Sequence, residues 1–113
     1  MELQYKELDN DIRFIKLIGR LDIIGTGEVE TKIAGYSAGE KVRMVLDLSE
    51  VDFLSSIGIR LLMLTAKSVT SRGGKIVILH PIPDVQNVLE IAGIPGIIPI
   101  YSYLESAETV LMA

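Results

Sequence analysis

The sequence predicts an α/β domain, a mixed and mostly parallel sheet of about five strands with about four helices, in the order ββαβαβαβα. Three observations predict it. Short apolar runs of strand length alternate with segments of helical period, as βα crossovers require. The first two strand candidates follow one another with no helix between them, so one antiparallel pair opens the chain. Nearly half of the 113 residues are hydrophobic while only 5% are aromatic, and Val, Ile and Leu dominate, which suits strands buried on both faces. The length supports one core, so residues 1–113 form a single domain.

The opening strands are Leu3 to Leu8 and Ile12 to Ile18, separated by the polar cluster Asp9-Asn10-Asp11, whose residues close hairpins. In the second strand Ile12 and Phe14 alternate against Ile15 and Leu17, so both faces are apolar and the strand is interior. Gly19 breaks it. Arg20 to Gly27 reads as a loop, and Glu28 to Tyr36 as a short helix with Val29, Ile33 and Tyr36 on one side. Lys41 to Leu48 resumes alternation, with Val42, Met44, Leu46 and Leu48 on one face and Val45 on the other, as in a covered central strand.

A helix then spans Ile57 to Arg72, its core stripe formed by Ile59, Leu62, Met63, Ala66 and Val69, and Gly73-Gly74 stops it. Leu61 and Leu64 fall off that stripe, either tucked under a neighbouring loop or forming a docking surface. Lys75 to Leu79 is a buried strand. Pro83 starts the next helix, Val85, Val88, Leu89 and Ala92 face inward, and Gly93 ends it. Ile97 to Ile100 reads as a short strand held to an edge by Pro99. Ser102-Tyr103-Leu104-Glu105 fits a capping box opening a last helix with Leu104, Ala107 and Leu111 inward.

Composition removes several function classes. A net charge of −4 with no cluster of Lys and Arg argues against nucleic acid as a partner. Apolar runs such as Ile76 to Leu79 are far too short to span a bilayer, and MELQYKELDND has neither a basic region nor an apolar core. No membrane partner and a cytoplasmic location are therefore expected. The absence of cysteine excludes disulfides, thiolate metal sites and cysteine nucleophiles. His80, the sole histidine, stands between Leu79 and Pro81 and reads as structural.

The chemistry gathers in LDLSEVDFLSSIGIR, Leu46 to Arg60, where a strand passes into a helix through Ser55 and Ser56. Such a turn points unpaired N–H groups outward and favours negative charge, a natural seat for a phosphate. Either serine also suits the helix cap, and Gly58 permits close backbone approach. A hydrolase nucleophile is disfavoured, because Ser56 has Leu54 rather than glycine two places before it and only His80 as a base. Asp22, Asp47 and Asp52 fall near strand ends and are a candidate magnesium cluster, but no GxxxxGK[ST] motif accompanies them. No cofactor and no metal are expected.

Taken together, Gly19-Arg20-Leu21-Asp22, Val45-Leu46-Asp47-Leu48-Ser49 and Val51-Asp52-Phe53-Leu54-Ser55-Ser56-Ile57-Gly58-Ile59 carry a resemblance over essentially the whole chain. The sequence resembles STAS domains, and within them the bacterial anti-sigma factor antagonists. The resemblance implies a non-enzymatic protein whose unphosphorylated form binds an anti-sigma factor that is also a serine kinase of the histidine-kinase-like ATPase type, freeing the sigma factor. It implies phosphorylation of Ser56, with Ser55 as the second candidate, as the event that ends binding, and a serine phosphatase as a further partner. The docking face it implies comprises Asp22, Ser55, Ser56, Gly58, Arg60, Leu61 and Leu64. One departure matters: the family commonly places an aspartate immediately before the phosphorylated serine, where this chain has Ser55. That raises the share of the alternative, an unphosphorylated STAS scaffold or transporter accessory subunit.

Overall fold

The computed structural model describes all residues, Met1–Ala113. Five strands form one sheet in the order β1-β2-β3-β4-β5, with β1 at Glu2–Leu8, β2 at Ile12–Leu21, β3 at Arg43–Leu54, β4 at Lys75–Leu79 and β5 at Ile100–Tyr101. β1 and β2 pair antiparallel, from Glu2 opposite Ile18 to Leu8 opposite Ile12, and every other pairing is parallel. The turn between the first two strands is a single 3-10 turn at Asp9–Asp11 in which Asn10 takes φ 64° and Asp11 φ 58°, conformations that short polar side chains tolerate. The α/β class and the ββαβαβαβα order are as the sequence predicts.

Helices α1 (Ile23–Tyr36), α2 (Ser56–Ser71) and α3 (Pro83–Ile91) each link one parallel strand to its next neighbour. Crossovers of one hand that all step the same way must lie on one face of the sheet. Accordingly Val29 and Ile33 of α1, Leu62, Ala66 and Val69 of α2, and Val85 and Leu89 of α3 share one core with Ile15, Leu17, Met44, Leu46 and Ile78. The last helix, α4 (Leu104–Met112), covers the other face alone, its Ala107 and Leu111 packing on Ile12, Val45, Val77 and Leu79. Both faces of the central strands are thus dry, which is why β2 and β3 are apolar on both sides.

Several boundaries differ from the sequence expectation. β3 does not stop at Leu48 but continues to Leu54, because β2 also continues, to Leu21, and the two stay paired through register shifts after Lys16 and after Gly19. Arg20 to Gly27 is not a loop: Leu21 ends β2 and α1 begins at Ile23. Met63 is exposed rather than in the core stripe of α2, and Thr65 is buried there instead. The stripe runs through Gly58, Leu62, Thr65, Ala66 and Val69, and Thr65 tolerates burial because its hydroxyl donates to the Leu61 carbonyl at 2.8 Å.

Ile97 to Ile100 is not a strand. A 3-10 turn at Ile94–Gly96 precedes it and only Ile100–Tyr101 pairs with β4, at the sheet edge. The capping box at Ser102 does not form; Tyr103 is the N-cap of α4 and makes no side-chain cap bond. The Ser102 carbonyl is instead 2.9 Å from Nδ1 of His80, which donates to it, so Ser102 ties β5 to the end of β4.

Candidate functional site

Two helices begin side by side where β2 and β3 end. Leu21 and Leu54 are opposite one another in the parallel register, and the residue after each, Asp22 and Ser55, is the N-cap of the helix that follows. Asp22 Oδ1 accepts from the Gly25 N–H at 2.8 Å and caps α1. Ser55 Oγ accepts from the Gly58 N–H at 3.3 Å and donates to the Leu21 carbonyl at 2.7 Å. The parallel pairing therefore brings the two caps together, although 33 residues of chain separate them.

The caps work only because glycine stands at the third position of each helix. A Cβ on Gly25 would lie 1.9 Å from the Arg20 carbonyl oxygen, and one on Gly58 would lie 2.8 Å from the Leu21 carbonyl oxygen and 2.9 Å from Leu54 Cδ1. Real side chains do not fit at such distances. Gly58, which the sequence placed on the docking face, is buried. Its part is to seat α2 on the strand ends, not to offer a contact.

Ser56 differs from its neighbour. It is the first residue of α2 and exposed, and its hydroxyl takes no part in the bonds that hold the turn. With Gly58 capped by Ser55, the N–H groups of Ser56 and Ile57 are left as unpaired donors at the positive end of a helix of 16 residues. Ser55, by contrast, has its hydroxyl engaged as both donor and acceptor.

Charge beside the turn is set by Asp22 and Arg20. The Gly25 N–H holds the Asp22 carboxyl below the ordinary carboxylate range, outweighing the opposing effect of desolvation, and the Arg20 guanidinium, 3.5 Å away, adds to the lowering. That guanidinium also lies 4.2 Å from the centroid of the Phe53 ring. Around this polar centre stand exposed apolar side chains: Ile23 and Ile24 at 74%, and Phe53 and Ile57 at 40%. None of these four was singled out from the sequence. Ile23 and Ile24 read as loop residues beside two glycines, and the signal that would have found them is the aspartate cap three residues before Gly25.

Of the other predicted docking residues, Arg60 is exposed on the first turns of α2, Leu61 is half-buried, and Leu64 is 53% exposed. Leu61 packs against the core beside the loop that follows α1, whereas Leu64 stands open. They line a groove of about 630 Å³ against Glu30, Ala34 and Ala38 of the α1 side.

The chemistry weighed against this site fails on distance. β3 pairs with β4 only as far as Asp47 opposite Leu79, and the rest of β3, extended at about 3.3 Å per residue, puts roughly 20 Å between His80 and the serine turn. His80 therefore cannot act as a base for Ser56. Asp47 is buried within β3 and accepts from the Ser49 N–H at 2.9 Å, and Asp22, Asp47 and Asp52 do not converge, since no three carboxylates or imidazoles are grouped to hold a metal. No helix is long and apolar enough to cross a membrane.

Residues 4–107 match the family model described as the STAS domain. The chain belongs to the STAS family. This STAS domain is 32% identical over 91 residues to BtrV of Bordetella bronchiseptica, a protein assigned as an anti-sigma factor antagonist, covering 80% of this chain and 78% of that one. Its fold superposes with a TM-score of 0.87 on the crystal structure of an anti-sigma factor antagonist from Mycobacterium paratuberculosis, at 22% identity over 99% of this chain and 94% of the other. Against the Bacillus anti-sigma factor antagonist SpoIIAA in its unphosphorylated form the TM-score is 0.77, at 19% identity over 99% and 98% of the two chains. The five-stranded sheet and four helices are thus the architecture of those STAS structures, and the family resemblance of the three sequence stretches holds.

Proposed function

We propose that this STAS domain is an anti-sigma factor antagonist that works in the cytoplasm as a partner switch. Its unphosphorylated form binds an anti-sigma factor that is also a serine kinase, and phosphorylation of Ser56 ends the binding. The observation that carries this reading is the division of labour between adjacent serines: Ser55 is consumed by the cap, whereas Ser56 offers a free, exposed hydroxyl at the first position of α2. The names of the relatives support the class of partner.

The proposed docking face comprises Asp22, Ser56, Arg60, Leu61 and Leu64, with Ile23, Ile24, Phe53 and Ile57 added around them. A phosphate on Ser56 carries roughly −1.5 to −2 charges, which the helix N-terminus and its unpaired N–H groups stabilise while water still reaches them. The fold survives modification. Inside a complex the same phosphate loses its water close to the Asp22 carboxylate. An uncompensated buried charge costs about 3–5 kcal/mol, or two to three and a half powers of ten in affinity. A serine phosphatase would restore the docking face.

The test is incubation with the cognate kinase and ATP followed by mass spectrometry and a pull-down. One phosphate on Ser56, absent in Ser56→Ala, with Ser56→Asp folded but poorly bound, is the expected result. Absence of any phosphate on Ser56 would favour an unphosphorylated scaffold or accessory subunit, and Ser56→Asp binding as well as wild type would remove the electrostatic switch.

A further inference from the structure

β1 is an edge strand. Its seven residues, Glu2–Leu8, pair with β2 on one side only, and nothing in the sheet order lies beyond it. It contains no proline, no bulge and no shift of register against β2, so it offers a straight row of unpaired N–H and C=O groups of the kind that accepts another strand. We propose that the strand accepts is β1 of a second copy of this chain, antiparallel across a two-fold axis through Gln4.

The side chains decide the partner and the register. A two-fold axis normal to the sheet sets each residue opposite one on the same face, so the permitted registers differ in steps of one pair. Centring on Gln4 sets Glu2 opposite Lys6 and Lys6 opposite Glu2, with Gln4 opposite Gln4 between them; on the other face Leu3 meets Tyr5 twice. Every pair between Glu2 and Lys6 is complementary, and Glu7 falls opposite Met1, outside the strand. Centring on Tyr5 instead sets Glu7 against Leu3 and Glu2 against Leu8, and centring on Lys6 sets ammonium against ammonium. Charges on an edge strand ordinarily repel a second strand, but here opposite signs are spaced so that a copy of the same strand satisfies both.

The flanking structure agrees. Glu2, Gln4 and Lys6 are exposed, Gln4 donates to Glu2 at 2.9 Å, and Lys6 Nζ lies 5.1 Å from the centroid of Phe14, so the polar pairs lie on the α4 side of the sheet. On the helix side Tyr5 stacks on Tyr36 with ring centroids 4.0 Å apart. Leu3, Lys32, Gly35 and Tyr36 line a hollow of about 400 Å³ next to it, where the second copy's Tyr5, opposite Leu3, meets a surface part apolar, from Leu3 and Tyr36, and part polar, from Lys32. The joined sheet has ten strands. Because the axis reverses strand direction, its two Ser56 turns lie at opposite ends, so the dimer is bivalent for any partner that docks there.

Sedimentation equilibrium between about 10 µM and 1 mM, the range in which a weak edge pairing populates, tests this with wild type, Lys6→Glu and the double variant Glu2→Lys/Lys6→Glu. Circular dichroism confirms that all three are folded. Lys6→Glu turns two attractions into two repulsions and should weaken the dimer about tenfold or more, while the double variant restores opposite signs across the axis and should recover wild-type association. Both variants lose the Lys6 contact with Phe14, and the double variant also loses the bond from Gln4 to Glu2 within each copy, so recovery of association by the double variant comes from opposite signs and lower net charge between the copies and not from either internal contact. A wild type that stays monomeric at the highest concentration overturns the proposal, as does a double variant no better associated than Lys6→Glu.

Discussion

The Leu21 carbonyl accepts two hydrogen bonds from Ser55, at 3.0 Å from its backbone N–H and at 2.7 Å from its hydroxyl. One oxygen at the end of β2 thereby fixes the start of α2, which belongs to a different crossover, and engages the Ser55 hydroxyl in the turn. Of the two serines, Ser56 is the more exposed.

Ser55→Ala removes the cap of Gly58 and one of the two bonds to Leu21. The loss should be about 1–2 kcal/mol of stability, seen as a lower urea midpoint with an unchanged slope. Ser56→Ala, whose hydroxyl holds nothing in the fold, should lie within about 0.5 kcal/mol of wild type in the same experiment.

Three glycines in helices should answer to alanine in opposite directions. Gly25→Ala meets the Arg20 carbonyl at 1.9 Å and Gly58→Ala meets Leu21 and Leu54 at 2.8 and 2.9 Å, whereas a Cβ on Gly27 has nothing within 4 Å. Thermal unfolding should rank Gly25→Ala as the most damaging and Gly58→Ala next, at about 1–3 kcal/mol of overpacking. Gly27→Ala should stabilise by about 0.5–1 kcal/mol through the reduced freedom of the unfolded chain.

Asp22 should make the fold sensitive to acid. Its folded carboxyl titrates below the ordinary carboxylate range because the Gly25 N–H and, secondarily, Arg20 favour the ionised form. The unfolded chain then binds a proton at higher pH than the folded one does, so the contribution is complete above the unfolded value and disappears as pH falls through the folded one. Asp22→Asn keeps an acceptor for the cap but no charge. Its urea midpoint should fall below that of wild type at pH 7, and the gap should close in acid.

The exposed isoleucines separate docking from folding. If the proposed face is right, Ile24→Ser should leave stability within about 0.5 kcal/mol yet weaken anti-sigma factor binding by about tenfold or more in titration calorimetry. Leu64→Glu should weaken it likewise. Ile91, 79% exposed on α3, lies away from both caps, and Ile91→Ser should bind as wild type does.

Where the sequence misled, the cause was a contact between distant residues. Ile23 to Gly27 looks like a loop because two glycines in five residues are poor helix formers. It is helical because Asp22 caps it and because α1 must pass so close to Arg20 that only glycine fits. Ser49 to Leu54 shows weak alternation, yet it is strand because β2 extends alongside it, with shifted register keeping Leu21 opposite Leu54. Met63 and Thr65 exchanged places because a few tens of degrees of rotation of α2 decide which of two neighbouring stripes meets the sheet.

Hydrophobic period and glycine and proline punctuation were enough to determine the order of strands and helices, the antiparallel opening, the two-sided burial of β2 and β3 and the position of the serine turn, since each is written in residues close together in the chain. Which serine caps and which stays free, and which apolar side chains surround the free one, were decided only by the fold. The deciding partner of Ser55 is a carbonyl on a neighbouring strand, and no local pattern can show that two strand ends lie side by side.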